Sequence, residues 1–81
     1  MNVSGVIKKI RGRIVEERMK NCVNMPAEVE MVEAGDDFKI ESIKFHSDDC
    51  SIVCYDGRVT FVDKLRNRKI VMFKFENWEN I

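Results

Sequence analysis

The pair Asp56-Gly57 stands between two alternating runs, Cys50–Tyr55 and Arg58–Asp63, and it is the feature that most narrows what this chain can fold into. A two-residue hairpin loop whose twist matches its flanking strands needs positive φ at both central positions, and Asp-Gly is among the pairs that tolerate this best. The turn therefore predicts a hairpin and sets its register: Tyr55 faces Arg58, Cys54 faces Val59, Val53 faces Thr60 and Ile52 faces Phe61. Side chains alternate along a strand, so Ile52, Cys54, Val59 and Phe61 gather on one face as core. Val53, Tyr55, Arg58, Thr60 and Val62 gather on the other.

The rest of the chain is read outward from this hairpin. Val3, Val6, Ile7, Ile10 and Ile14 recur at steps of three and four, the spacing of an amphipathic helix from Val3 to about Val23, with Ser4 able to cap its start. Gly12 argues against it, and a short hairpin turning at Gly12 is the alternative. Pro26 disfavours a helical conformation at Met25, so the helix is expected to stop before it. Ala27–Ala34 reads either as a strand, through Ala27, Val29 and Met31, or as a helix, through Met25, Val29 and Val32. The strand is preferred because Gly35-Asp36-Asp37 then makes a turn into Phe38-Lys39-Ile40. A break in alternation at Glu41-Ser42 suggests a bulge. After the charged connection Lys64–Arg68, Lys69–Phe75 is the last strand, with Val71, Phe73 and Phe75 on one face and Ile70 and Met72 on the other. The expected architecture is α+β: an N-terminal amphipathic helix on an antiparallel meander of four or five strands, with residues 1–81 as one domain.

Charge and cysteine content bound the function. Fourteen basic and fourteen acidic side chains cancel, yet residues 1–20 hold six cations against two acids, leaving eight cations against twelve acids in the remainder. A cationic N-terminal element and an anionic remainder are expected. Lys8 and Lys9 interrupt the apolar residues Val6–Ile10, and no run reaches membrane-spanning length, so the expectation is a cytoplasmic, unexported chain that does not enter a membrane. Cys22, Cys50 and Cys54 lack the dense spacing of a disulfide scaffold and suit reduced, structural thiols.

His46, Cys50 and Cys54 recur every four residues, which raises a metal hypothesis. Residues four apart in a strand are about 13 Å from each other, whereas two sulfurs on one zinc lie within roughly 4 Å. Neither a metal site nor a Cys50–Cys54 disulfide is expected, and no cofactor is called for. His46 beside Ser47, Asp48 and Asp49 reads as a turn rather than as a general base with its nucleophile, so catalysis is the least favoured class.

Two function classes remain. Lys8, Lys9, Arg11 and Arg13 could contact nucleic-acid phosphates, although the same side chains would also flank a buried stripe and reach past it to water. Val53, Tyr55, Val62, Ile70, Met72, Met31 and Trp78 are more apolar surface than one helix readily covers, which indicates a protein interface or a homodimer. Tyr55, Arg58, Val53, Val62 and Trp78 are the side chains expected to make partner contacts. The leading expectation is a non-catalytic interaction module, in the style of the stoichiometric inhibitors that bacterial viruses direct at host or defence enzymes. Nucleic-acid binding through the basic helix is the alternative.

Overall fold

A computed structural model describes residues 2–16 and 25–81. One helix, α1 (Val3–Glu16), packs on a five-stranded antiparallel sheet of β1 (Ala27–Ala34), β2 (Asp37–His46), β3 (Cys50–Tyr55), β4 (Arg58–Asp63) and β5 (Arg68–Lys74). The strands lie side by side in chain order, and a single 3-10 turn, Trp78–Asn80, follows. This is the expected α+β meander, with five strands.

Helix α1 forms because Val6, Ile10 and Ile14 share one stripe, and all three are buried. Its cap is Asn2 rather than Ser4: the Asn2 side-chain oxygen accepts from the Gly5 N–H at 3.0 Å, the bond that an N-cap residue makes to the third helical position. Ser4 already lies inside the helix and is exposed. Gly12 is helical, so the alternative hairpin does not form. The expected continuation of the helix to about Val23 falls partly outside the described residues. Ala27–Ala34 is a strand, and the His46 N–H carries the β1–β2 pairing one step further, to the Pro26 carbonyl.

The hairpin forms in the expected register, from Tyr55 opposite Arg58 to Ile52 opposite Phe61. Asp56 and Gly57 have φ of 51° and 71°. Gly57 is doubly constrained: a Cβ there would stand 2.7 Å from the Phe75 carbonyl oxygen, whose residue donates its N–H to the Gly57 carbonyl at 2.8 Å. The turn thus also docks the end of β5. Gly35 opens the first hairpin with φ of 65°.

Two irregularities re-aim side chains. Between β1 and β2 the register passes from Glu30 opposite Ser42 to Met31 opposite Ile40, so Glu41 is the extra residue of the bulge expected at Glu41-Ser42. Between β4 and β5 it passes from Val59 opposite Phe73 to Thr60 opposite Val71, so Met72 is extra. This second bulge overturns the expected faces of the last strand. Ile70 lies opposite Phe61 on the helix side, and Val71 lies opposite Thr60 on the far side, apart from Phe73.

The core is one cluster between helix and sheet: Val6, Ile10, Ile14, Met25, Ile40, Ile43, Phe45, Ile52, Cys54 and Val59. Burial pushes the Cys54 thiol up from its ordinary 9.0 to about 12. The neutral thiol is favoured in the folded state, so Cys54 contributes stability below pH 9 that is lost as the pH rises toward 12. Alkylation of Cys54 at neutral pH should therefore require unfolding; modification of the native protein at the rate of an exposed thiol would contradict its burial. The two glycines predict opposite signs in urea denaturation. Gly12→Ala, with nothing near its added methyl group, should stabilise by up to about 1 kcal/mol. Gly57→Ala should cost about 2 kcal/mol through backbone strain and the clash with Phe75.

Candidate functional site

The helix covers one face of the sheet; the opposite face is where most of the expected partner contacts meet. Val53, Tyr55, Arg58 and Val62 lie there together because the turn sets their register and the pleat sends them all to one side. The pairings extend the face into cross-strand rows. Glu30, Ser42, Tyr55 and Arg58 form one row, and Glu28, Lys44, Val53, Thr60 and Val71 the next. His46, Ser51, Val62 and Lys69 form the third. Val53, Thr60 and Val62 are half-buried by their neighbours, while Tyr55 is 52% and Val71 47% exposed. A shallow depression of about 230 Å³ is lined by Val53, Tyr55, Arg58, Thr60, Val62 and Lys69.

The charge on this face is unevenly placed. Glu28 and Glu30 stand on β1 and have local partners. The Glu28 carboxylate lies 3.1 Å from His46 Nε2 and opposite Lys44, and Glu30 accepts a 3.4 Å hydrogen bond from Ser42 Oγ. Arg58, Lys69 and Lys74 occupy the β4–β5 side, all exposed. Arg58 Nη1 is 3.5 Å from Asp56 Oδ2, an exposed ion pair worth about 0–1 kcal/mol. No acidic side chain among the described residues pairs with Lys69 or Lys74. The acidic side chains expected beyond the helix are divided between the strands and their connections, with none on β3 or β5. Asp36, Asp48, Asp49, Asp56, Glu76 and Glu79 sit in turns and the tail, Glu41 is bulged, and Glu28, Glu30, Glu33, Asp37 and Asp63 lie on β1, β2 and β4, while Arg58, Lys69 and Lys74 flank the centre of the open face on its β4–β5 side.

Trp78, grouped with these residues on sequence, lies outside the cross-strand rows, and of that group it meets Tyr55 alone, along one depression of about 390 Å³ at the end of the sheet. Its indole N–H donates to the Ile40 carbonyl at 3.0 Å, its ring centroid is 4.8 Å from that of Phe75, and it packs against the core. The need for it is local. β3 ends at Tyr55 opposite Ser42, so Ile40 lies past the last β2–β3 pair, and the indole supplies a donor there. Ile81 joins the same packing, and Lys9 Nζ donates to the Glu79 carbonyl at 3.1 Å, holding the tail beside α1.

The basic helix is divided in its use. The Arg11 guanidinium stands 5.0 Å from the centre of the Phe45 ring and donates to the Met25 carbonyl, and that of Arg13 lies 4.1 Å from the centre of the Phe73 ring. These two side chains hold the helix to the sheet on either flank, each by a cation–π contact. Lys8 and Lys9 are exposed.

Among the described residues no three His, Cys, Asp or Glu side chains are grouped to hold a metal ion, and no helix is long and apolar enough to cross a membrane. Cys22 lies outside the described residues. Asp63 caps the β4–β5 turn: the Arg66 backbone N–H, then its guanidinium, hold the carboxyl below its usual range.

Sequence reasoning missed Lys69, Lys74 and Val71 as members of the open face. The signal was the hairpin register itself, but carrying it into β5 requires knowing that Met72 is bulged. Trp78→Phe should lower stability by about 1–3 kcal/mol by leaving the Ile40 carbonyl short of a donor, and Trp78→Ala by about 3–5 kcal/mol. Thermal unfolding of the two variants separates the hydrogen bond from the packing. Comparison with protein-family models, with curated proteins and with solved structures returned no match.

Proposed function

We propose that this protein is a non-catalytic interaction module that docks a partner protein on the open face of its sheet. The observation that carries this reading is that Val53, Tyr55, Arg58 and Val62 lie together on the side the helix leaves uncovered. The exposed tyrosine and arginine at the margin of this apolar patch are residue types enriched at interface cores. The opposite face already has its cover in α1, Met25 and the Trp78–Ile81 tail. A module of this kind acts by occupying its partner's surface, the mode of a stoichiometric inhibitor such as those bacterial viruses direct at host or defence enzymes.

Nucleic-acid binding through α1 is the competing reading. Exposed Lys8 and Lys9 support it, although Lys9 also holds the Glu79 carbonyl, whereas Arg11 and Arg13 have structural contacts that account for them. The two readings part on mutation. A photo-crosslinking residue in place of Thr60 should trap a protein partner, and Tyr55→Ala and Arg58→Glu should each weaken that complex about tenfold or more. Lys8→Ala with Lys9→Ala should leave it unchanged. Recovery that depends on Lys8 and Lys9 and vanishes with nuclease would instead establish the helix as a phosphate-binding element.

A further inference from the structure

Resting on that docking reading, we infer that the surface recognised by the open face is an acidic protein surface, with aliphatic side chains at its centre and carboxylates over the β4–β5 side. The chemistry of the face selects this occupant in two ways. Its centre is Val53, Thr60, Val62 and Val71, brought together by the rows that cross β3, β4 and β5. Branched aliphatic groups are best removed from water by other aliphatic or aromatic side chains. They offer no flat ring on which a base could stack, and among the described residues the rings in these rows are Tyr55 and, at the far corner beside Glu28, His46. Single-strand nucleic-acid sites depend on successive aromatic platforms, so this centre favours protein.

The margin then gives the sign of the partner's charge. Arg58, Lys69 and Lys74 are exposed on one side of the aliphatic centre, and neither lysine is paired with an acid among the described residues. On the other side Glu28 and Glu30 already face His46, Lys44 and Ser42. A partner carboxylate over β4 and β5 would meet Lys69 and Lys74, which no acid among the described residues pairs with, beside Arg58, whose one acidic partner is the exposed Asp56; a basic partner would meet repulsion there. Charge complementarity of this type fixes orientation and speeds encounter. A second copy of this chain stacked on the same face with β4 and β5 over their own counterparts would bring Arg58, Lys69 and Lys74 against the same residues, so self-stacking in that orientation is disfavoured.

The test uses the isotopically labelled full chain and four probes: a short peptide alternating glutamate and valine, its lysine–valine and serine–valine counterparts, and oligothymidylate. The glutamate–valine peptide should shift the amide signals of Val53, Tyr55, Arg58, Thr60, Val62 and Lys69, with an affinity that falls as salt rises. Arg58→Glu with Lys69→Glu, checked for native signals elsewhere, should weaken it about tenfold or more and strengthen the lysine–valine peptide. If the serine–valine or lysine–valine peptide binds this face as well as the glutamate peptide, the docking face stands and its acidic selectivity is wrong. If oligothymidylate occupies the face more tightly than any peptide, the partner is nucleic acid. If no probe perturbs the face, the acidic inference fails, and a crosslink from Thr60 to a protein would show separately that docking survives it.

Discussion

The register of the β3–β4 hairpin is the constraint on which the rest of the molecule depends. Strand side chains alternate with a period of two, so a slip of one residue would carry Ile52, Cys54, Val59 and Phe61 out of the core and send Val53, Tyr55 and Val62 into it. Asp56 and Gly57 prevent the slip by adopting the left-handed conformations that a tight two-residue loop requires. Gly57 adds a second function, because the space a Cβ would fill is taken by the Phe75 carbonyl. One turn therefore sets both the pairing of β3 with β4 and the docking of the chain that leaves β5.

Around that fixed centre, two bulges and the tail solve problems that a regular sheet would leave open. The Glu41 bulge keeps Ile40 on the core side while the β1–β2 hairpin runs on past the end of β3. That extension leaves the Ile40 carbonyl without a strand neighbour on one side, and the Trp78 indole reaches back to it. The Met72 bulge lets β5 contribute Phe73 to the helix side and Val71 to the open side. On the helix itself, Arg11 and Arg13 lay their guanidinium groups over Phe45 and Phe73, so charge that looks available for phosphates on sequence is partly spent in holding the two layers together.

The asymmetry between the two faces of the sheet is the basis for the functional reading. One face ends in a sealed core with a buried thiol; the other ends in aliphatic side chains beside cations. Several acidic side chains sit at turns or strand ends, where Asp and Asn chemistry suits the backbone, as Asp63 at the end of β4 illustrates by accepting from the Leu65 and Arg66 N–H groups. Among the described residues Lys69 and Lys74 have no acidic ion-pair partner, so the β4–β5 side of the open face is cationic while Glu28 and Glu30 stand on its β1 side.

Local chemistry in the sequence determined the elements of this fold: the helical stripe through Val6, Ile10 and Ile14, the Asp56-Gly57 hairpin with its register, the break at Glu41 and the clustering of Val53, Tyr55, Arg58 and Val62. Each depends on neighbours a few residues apart or across one tight turn, so spacing alone makes it legible. The side of the sheet the helix covers, the Met72 bulge that moves Val71 to the open face, the core position of Trp78 and the engagement of Arg11 and Arg13 were decided only by tertiary structure. Those outcomes join residues as distant as Ile40 and Trp78, whose meeting depends on how five strands and a tail close around one core rather than on any local pattern.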